Sequence, residues 1–214
     1  MASQTQGIRY TIIGLFAFVA LITGLFVSQY MQKGPKIDPE KFHGTWLQKP
    51  RPINEFKLTG TDARVFDNES LKGNWTLMFF GFTNCGYVCP TTMAELAKTY
   101  RLLAEKGIKP LPNVVMVSID PDRDTLEKMD SYVHAFDKHF YGARGDMDVV
   151  EKMTKEMGIV YTRISPPAEQ DAEDYDIQHS GAVMVFNPHG ELNAFFTTPH
   201  KAADLAKDYR MMVG

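Results

Sequence analysis

The chain predicts an α/β fold, a central sheet of mixed direction flanked by helices, carried on a single N-terminal transmembrane helix. Three observations predict it. Two apolar runs of strand length, NWTLMFFGF (residues 74–82) and NVVMVSID (113–120), bracket a stretch of helical periodicity. Near the C-terminus AVMVFN and ELNAFF meet at the turn NPHG and read as a hairpin. Finally, Tyr10 to Gln32 carries no charged residue and as a helix would reach ~34 Å, enough to cross a bilayer.

In chain order, residues 1–9 form a short tail and 10–32 the anchor. The exit GLFVSQYMQ offers no small-x-small cleavage site and no lipobox cysteine, so the span reads as uncleaved. Arg9 precedes it and Lys33, Lys36 and Lys41 follow. Counted naively, the positive-inside rule would keep the C-terminal side in the cytoplasm, but the rule is weak before a long domain. Residues 33–49, polar and broken by Pro35 and Pro39, read as a stalk, and residues 50–214 as the folded domain.

Within that domain a strand is expected over Glu55 to Leu58, then the turn TGTDAR and a second strand around Val65 and Phe66. After the 74–82 strand, Met93, Leu96, Ala97, Tyr100 and Leu103 recur with helical spacing from Pro90 until Lys106-Gly107. Asp124, with Glu127 three residues on, resembles a capping box for the helix LEKMDSYVHAF. A helix from Asp146 to Met157 closes at Gly158, and a strand follows at IVYTRI. Beyond the hairpin, Thr198-Pro199 opens a terminal helix with Pro at its first position. This order is thioredoxin-like, and it favours a site at the carboxyl end of the central strand, where a helix begins.

Composition excludes some functions. With 44% hydrophobic residues and a net charge of −3 the chain can build a core, and it shows no basic run for nucleic acid. Its only two cysteines, Cys85 and Cys89, fall together in GFTNCGYVCPTTMAEL at that favoured place. They admit three readings: a structural pair, a redox pair or a metal clamp. Pro90 puts Cys89 at or near the N-cap, where helix charge and free N–H groups favour thiolate. Three residues separate the thiols, against two in thioredoxin-type oxidoreductases. A peroxiredoxin needs Thr three residues before its cysteine, where this chain has Gly86 or Phe82.

A clamp needs a third ligand. Of the six histidines, His43 lies in the stalk, His134 and His139 on or past an amphipathic helix, His189 in the hairpin turn and His200 at the last helix. All five read as surface residues. His179 instead precedes the strand whose thioredoxin-fold counterpart follows the loop facing the cysteines. Two thiolates and an imidazole suit Cu(I) and can hold Cu(II); zinc would accept them with a water added.

FTNCGYVCPTTM, VSIDPDRDT and YDIQHSGAVMVFNPHGEL, in that order behind an anchor, resemble the Sco/SenC proteins, membrane-tethered copper chaperones of cytochrome c oxidase assembly. The resemblance covers about residues 50–212. It implies one copper on Cys85, Cys89 and His179, a copper-accepting oxidase subunit as partner, with other copper chaperones or thiol–disulfide reductants as further partners, and a domain outside the cytoplasm. With no mitochondrial transit pattern at the N-terminus, that means the periplasmic side of a bacterial inner membrane. The alternative function is a thiol–disulfide reductase that keeps the acceptor's copper-site cysteines reduced, using Cys85 and Cys89. The chain departs from the family at Gly86 and Tyr87, where Pro and an acidic residue are usual, and at Gln178, where Asp is usual. Asp176 is the nearest substitute carboxylate. Met93, Met116 and Met184 read as core, and AEQDAEDYD as a solvated loop.

Overall fold

The computed structural model describes residues 2–31, 37–164 and 175–214, and within the first helix the side chains of residues 9, 10 and 12–26. The chain divides after Lys36 into two units. The first contains α1 (Ala2–Met31), a continuous helix. Its described apolar side chains, among them Ile13, Leu15, Phe16, Phe18, Leu21 and Phe26, are exposed. Among the described residues no helix is long and apolar enough to cross a membrane, and the transmembrane span expected over 10–32 is not supported. Gln32 and the first part of the expected stalk, 33–36, lie outside the described residues.

The second unit is built on a sheet in the order β1-β10-β9-β4-β5-β6-β2-β3. Its strands are β1 (Thr45–Arg51), β2 (Lys57–Gly60), β3 (Val65–Asp67), β4 (Thr76–Gly81), β5 (Asn113–Ser118), β6 (Tyr141–Arg144), β9 (Val183–Phe186) and β10 (Leu192–Phe196). At its centre TLMFFG of β4 is buried at every residue, so both sheet faces are covered. β4 runs parallel to β5, from Thr76↔Asn113 to Gly81↔Ser118, and antiparallel to β9. The hairpin β9–β10, β4, β5, and the mutually packed helices α2 (Val88–Glu105) and α5 (Ala202–Val213) form the expected thioredoxin-like centre. Met93, Met116 and Met184 are in the core. Two strands, β7 (Tyr161–Ile164) and β8 (Asp176–His179), pair outside the main sheet. The remaining helices are α3 (Leu126–His134) and α4 (Met147–Met157), the latter closed by Gly158 at φ 71° as expected.

Several expectations are corrected. Part of the stretch read as a stalk is an edge strand: β1 pairs with β10, and Phe42 is buried against Trp46 and Phe196. The compact unit begins at Ile37, not near residue 50. Asp124 does not cap α3. Thr125 does, its hydroxyl accepting from the Lys128 N–H, while Asp124 is buried. α5 begins at Ala202 behind an extended Lys201, three residues past Pro199. In the acidic run, 168–174 lie outside the described residues, and Tyr175 is partly buried rather than solvated.

Candidate metal centre

The cysteine arm begins where β4 ends. A Cβ at Gly81 would lie 2.8 Å from Cys89 Sγ and 2.6 Å from the Phe79 ring, so only glycine lets the sulfur settle on the strand. The next turn is tied to Asp124, which accepts from the Thr83 N–H (3.1 Å), the Thr83 hydroxyl and the Ser118 hydroxyl. Burial raises the Asp124 pKa in spite of these donors. The chain then turns so that the Cys89 N–H donates to Cys85 Sγ at 3.4 Å. Tyr87 occupies the N-cap without a side-chain bond, so the Cys85 sulfur takes the role a capping oxygen would have. Cys89 lies one residue inside the helix, past the position expected, with none of its surface exposed.

The electrostatics divide the pair. A hydrogen bond from Cys89 holds the Cys85 thiol far below the ordinary thiol range, with smaller help from His179 and the backbone N–H groups of the helix start. Burial pushes Cys89 up, and its neighbour Cys85 adds to that. Thiolate is therefore favoured at Cys85, chiefly by the Cys89 hydrogen bond, and not at Cys89, whose expected place at or near the N-cap implied it.

The histidine arm is β8. His179 Nε2 lies 3.2 Å from Cys89 Sγ and 3.9 Å from Cys85 Sγ. The ring rests against Phe79 and Phe82 at centroid distances of 5.9 and 5.8 Å. Nδ1 faces the Ser180 carbonyl at 3.2 Å, and in the tautomer that donates there Nε2 carries its lone pair toward the sulfurs, as metal binding requires. Asp176 does not supply the orienting carboxylate, since its side chain accepts from the Ile177 N–H. Past the ring, a Cβ at Gly181 would meet Val88 at 2.8 Å and Thr198 at 2.5 Å, so glycine lets the strand exit close over the start of α2. His200 Nε2 donates to the Gly181 carbonyl at 2.6 Å. His200 is thus half-buried and structural, not a surface residue, and burial lowers its pKa.

The ligand atoms of Cys85, Cys89 and His179 all lie within 4.8 Å of one another, the one such group of three among the described residues. The cysteines are free thiols. The set is soft and of low coordination number, and Cys85 and His179 are partly open to solvent while Cys89 is sealed. The other histidines lie elsewhere. His43 pairs with Asp208 at 2.8 Å, His134 with Asp130 at 3.3 Å and His139 with Asp137 at 2.8 Å, and His189 sits in the hairpin turn. Gly81, Gly181, Asp124 and His200 shape the site yet were missed as site residues. The strand-end position of the two glycines was the signal available.

A family model, SCO1/SenC, matches residues 44–214. A protein of Stutzerimonas stutzeri named as copper-binding is 30% identical over 161 residues, 75% of this chain and 76% of its own length. Human protein SCO2 homolog, mitochondrial, is 27% identical over 208 residues, 97% of this chain and 76% of its own. The structure of Bradyrhizobium japonicum ScoI with copper bound is 27% identical with a TM-score of 0.65, covering 75% of this chain and 99% of that one. The chain is a member of the SCO1/SenC family.

Proposed function

We propose that this protein is a membrane-anchored copper chaperone. It holds one copper between Cys85 Sγ, Cys89 Sγ and His179 Nε2 and delivers it to a copper-accepting subunit of a respiratory oxidase during assembly. The observation that carries this reading is the convergence of the three ligand atoms within 4.8 Å. Two sulfurs and one imidazole nitrogen match Cu(I) and tolerate Cu(II). Transfer proceeds by ligand exchange: acceptor groups displace the partly exposed His179 and Cys85 first, and the sealed Cys89 last. The charge-free run from Tyr10 to Gln32, with its exposed apolar side chains on α1, supports an anchor, and on this reading the domain faces the periplasmic side of a bacterial inner membrane.

The test is an anaerobic Cu(I) titration of the reduced full chain in detergent against a competing chelator. Cys85→Ala, Cys89→Ala and His179→Ala are each expected to weaken binding by more than about 100-fold, beyond the usual effect of outer-shell changes. Binding indifferent to His179 would overturn the chaperone reading.

A second reading has its own observation, the contrast between a half-exposed, acid-shifted Cys85 and a sealed Cys89. As a thiol–disulfide reductase, Cys85 thiolate attacks a partner disulfide and releases one partner thiolate. Cys89 then attacks the mixed disulfide and frees the second, leaving Cys85 and Cys89 oxidised by two electrons. His179→Ala separates the two readings, because the reductase would survive it.

A further inference from the structure

β8 is four residues long and is laddered to β7, outside the main sheet. It nevertheless brings His179 Nε2 to 3.2 Å from Cys89 Sγ. Something must fix its start, and Tyr175, the residue before it, is held on every side. Two guanidinium groups lie over its ring, Arg123 at 3.7 Å and Arg163 at 4.0 Å from the ring centre. Its hydroxyl donates to Asp120, a carboxylate with no exposed surface, and its carbonyl accepts from Arg123 NH1 at 2.8 Å. Arg123 also bonds Asp120, and Arg163 bonds Asp122 at 2.9 Å. Asp120, Asp122 and Arg123 belong to the turn leaving β5, the strand beside β4, so the cluster fastens the start of β8 to the central sheet. The same Arg123 guanidinium lies 5.9 Å from the centre of Phe82, the ring that packs on His179.

We propose that Tyr175 is a positioning residue for His179: the stack Arg123–Tyr175–Arg163, seated on Asp120, sets the register of β8 and so holds the imidazole over the two thiols. Stacked guanidinium and aromatic planes with a charge-assisted hydrogen bond form a stiff, directional joint, unlike an apolar contact that tolerates sliding. The consequence for copper rests on reading the site as a copper centre; the consequence for the free imidazole does not.

Two measurements on the full chain in detergent keep these apart. The first needs no metal: histidine side-chain NMR of the reduced protein, with exchange of the Ser180 amide, which bonds the Val160 carbonyl at 2.8 Å. Tyr175→Ala is expected to collapse the dispersed His179 ring signals, shifted by Phe79 and Phe82, toward those of a free histidine, and to speed Ser180 exchange at least tenfold. Tyr175→Phe keeps the stack, so it should shift both far less. The second is Cu(I) affinity, where Tyr175→Ala should cost about 10- to 100-fold and nothing further in a His179→Ala background. If the His179 signals and Ser180 exchange are unchanged in Tyr175→Ala, the proposal fails. It fails equally if the affinity loss persists in full without His179. Should wild-type protein bind no Cu(I) while the NMR effect stands, the copper reading falls and the positioning role remains.

Discussion

Cys89 sits in the first turn of α2 with no exposed surface, pressed onto the end of β4, a strand buried at every residue. His179, across from it, ends a four-residue strand of which only Ile177 is buried. One wall of the centre is continuous with the hydrophobic core. The other is a small annex tied down at a few points: Tyr175 at its start, the Ser180 amide on Val160, and Gly181 held by His200. A wall fused to the core moves only if the core gives, so its ligand is fixed by packing. An annex held by separate polar bonds can shift without unfolding the domain. On the proposed reading of the centre as a copper clamp, the difference would let one ligand retain the metal while another lets go.

The sharpest way to break the comparison is to perturb each wall by one methyl group. At Gly81 a Cβ would collide with Phe79 and with the sulfur of Cys89, both without exposed surface. Gly81→Ala is therefore expected to cost about 1–3 kcal/mol of stability, along with most of the copper affinity, as read by chemical unfolding and chelator competition. At Gly181 the colliding atoms are the ends of an exposed Thr198 and a half-buried Val88, which can yield. Gly181→Ala should cost less than about 1 kcal/mol while still displacing His179. Equal stability losses at the two glycines would mean that the walls do not differ in rigidity.

A smaller effect is expected at His200, which touches neither sulfur nor imidazole. Its bond to the Gly181 carbonyl holds the far end of the annex. Burial keeps the ring neutral and lowers its pKa, so Nε2–H is the donor across the neutral range. His200→Ala removes one hydrogen bond, worth about 1 kcal/mol of stability. Copper affinity is expected to fall about tenfold, as for other outer-shell groups. His200→Gln, which can still donate, should recover part of that affinity. No recovery, or a stability loss as large as that of Gly81→Ala, would place His200 in the core rather than in the annex.

What the sequence made legible follows the same division. The cysteine wall announces itself, because a continuous apolar strand running into C-x-x-x-C-P has few alternatives. His179 could be singled out only by elimination and by its place before a strand. Its own strand, DIQH, buries one side chain and leaves almost no period to read. β6 is equally short, and β1 is polar because it lies at a sheet edge and exposes most of its residues. Asp124 was misread for a different reason. The spacing Asp-x-x-Glu fits a capping box, but Thr125 makes the cap, and the carboxylate is drawn inward by the donors of Thr83 and Ser118. Local pattern cannot reveal a partner 41 residues away.

Asp124 also provides the finest test of the cysteine wall. The groups around it are Ser118, Thr83 and the carboxylate of Asp120, with burial the largest influence and the net effect a raised pKa. A carboxyl group whose folded pKa lies above its unfolded value of about 3.9 stabilises the fold fully below that value. The contribution is lost as pH rises through the folded pKa, because the native state must then bury a charge. Asp124→Asn keeps a neutral side chain of the same shape, with an oxygen for Thr83 and an amide that can donate to Ser118. Denaturant unfolding of wild type from about pH 4 upward should therefore show a decline that the variant lacks, with little difference in stability at the acid end. Parallel profiles would mean that the Asp124 charge is fully compensated by its three donors. The loop carrying Cys85 would then be held by hydrogen bonds alone, without the burden of a buried charge.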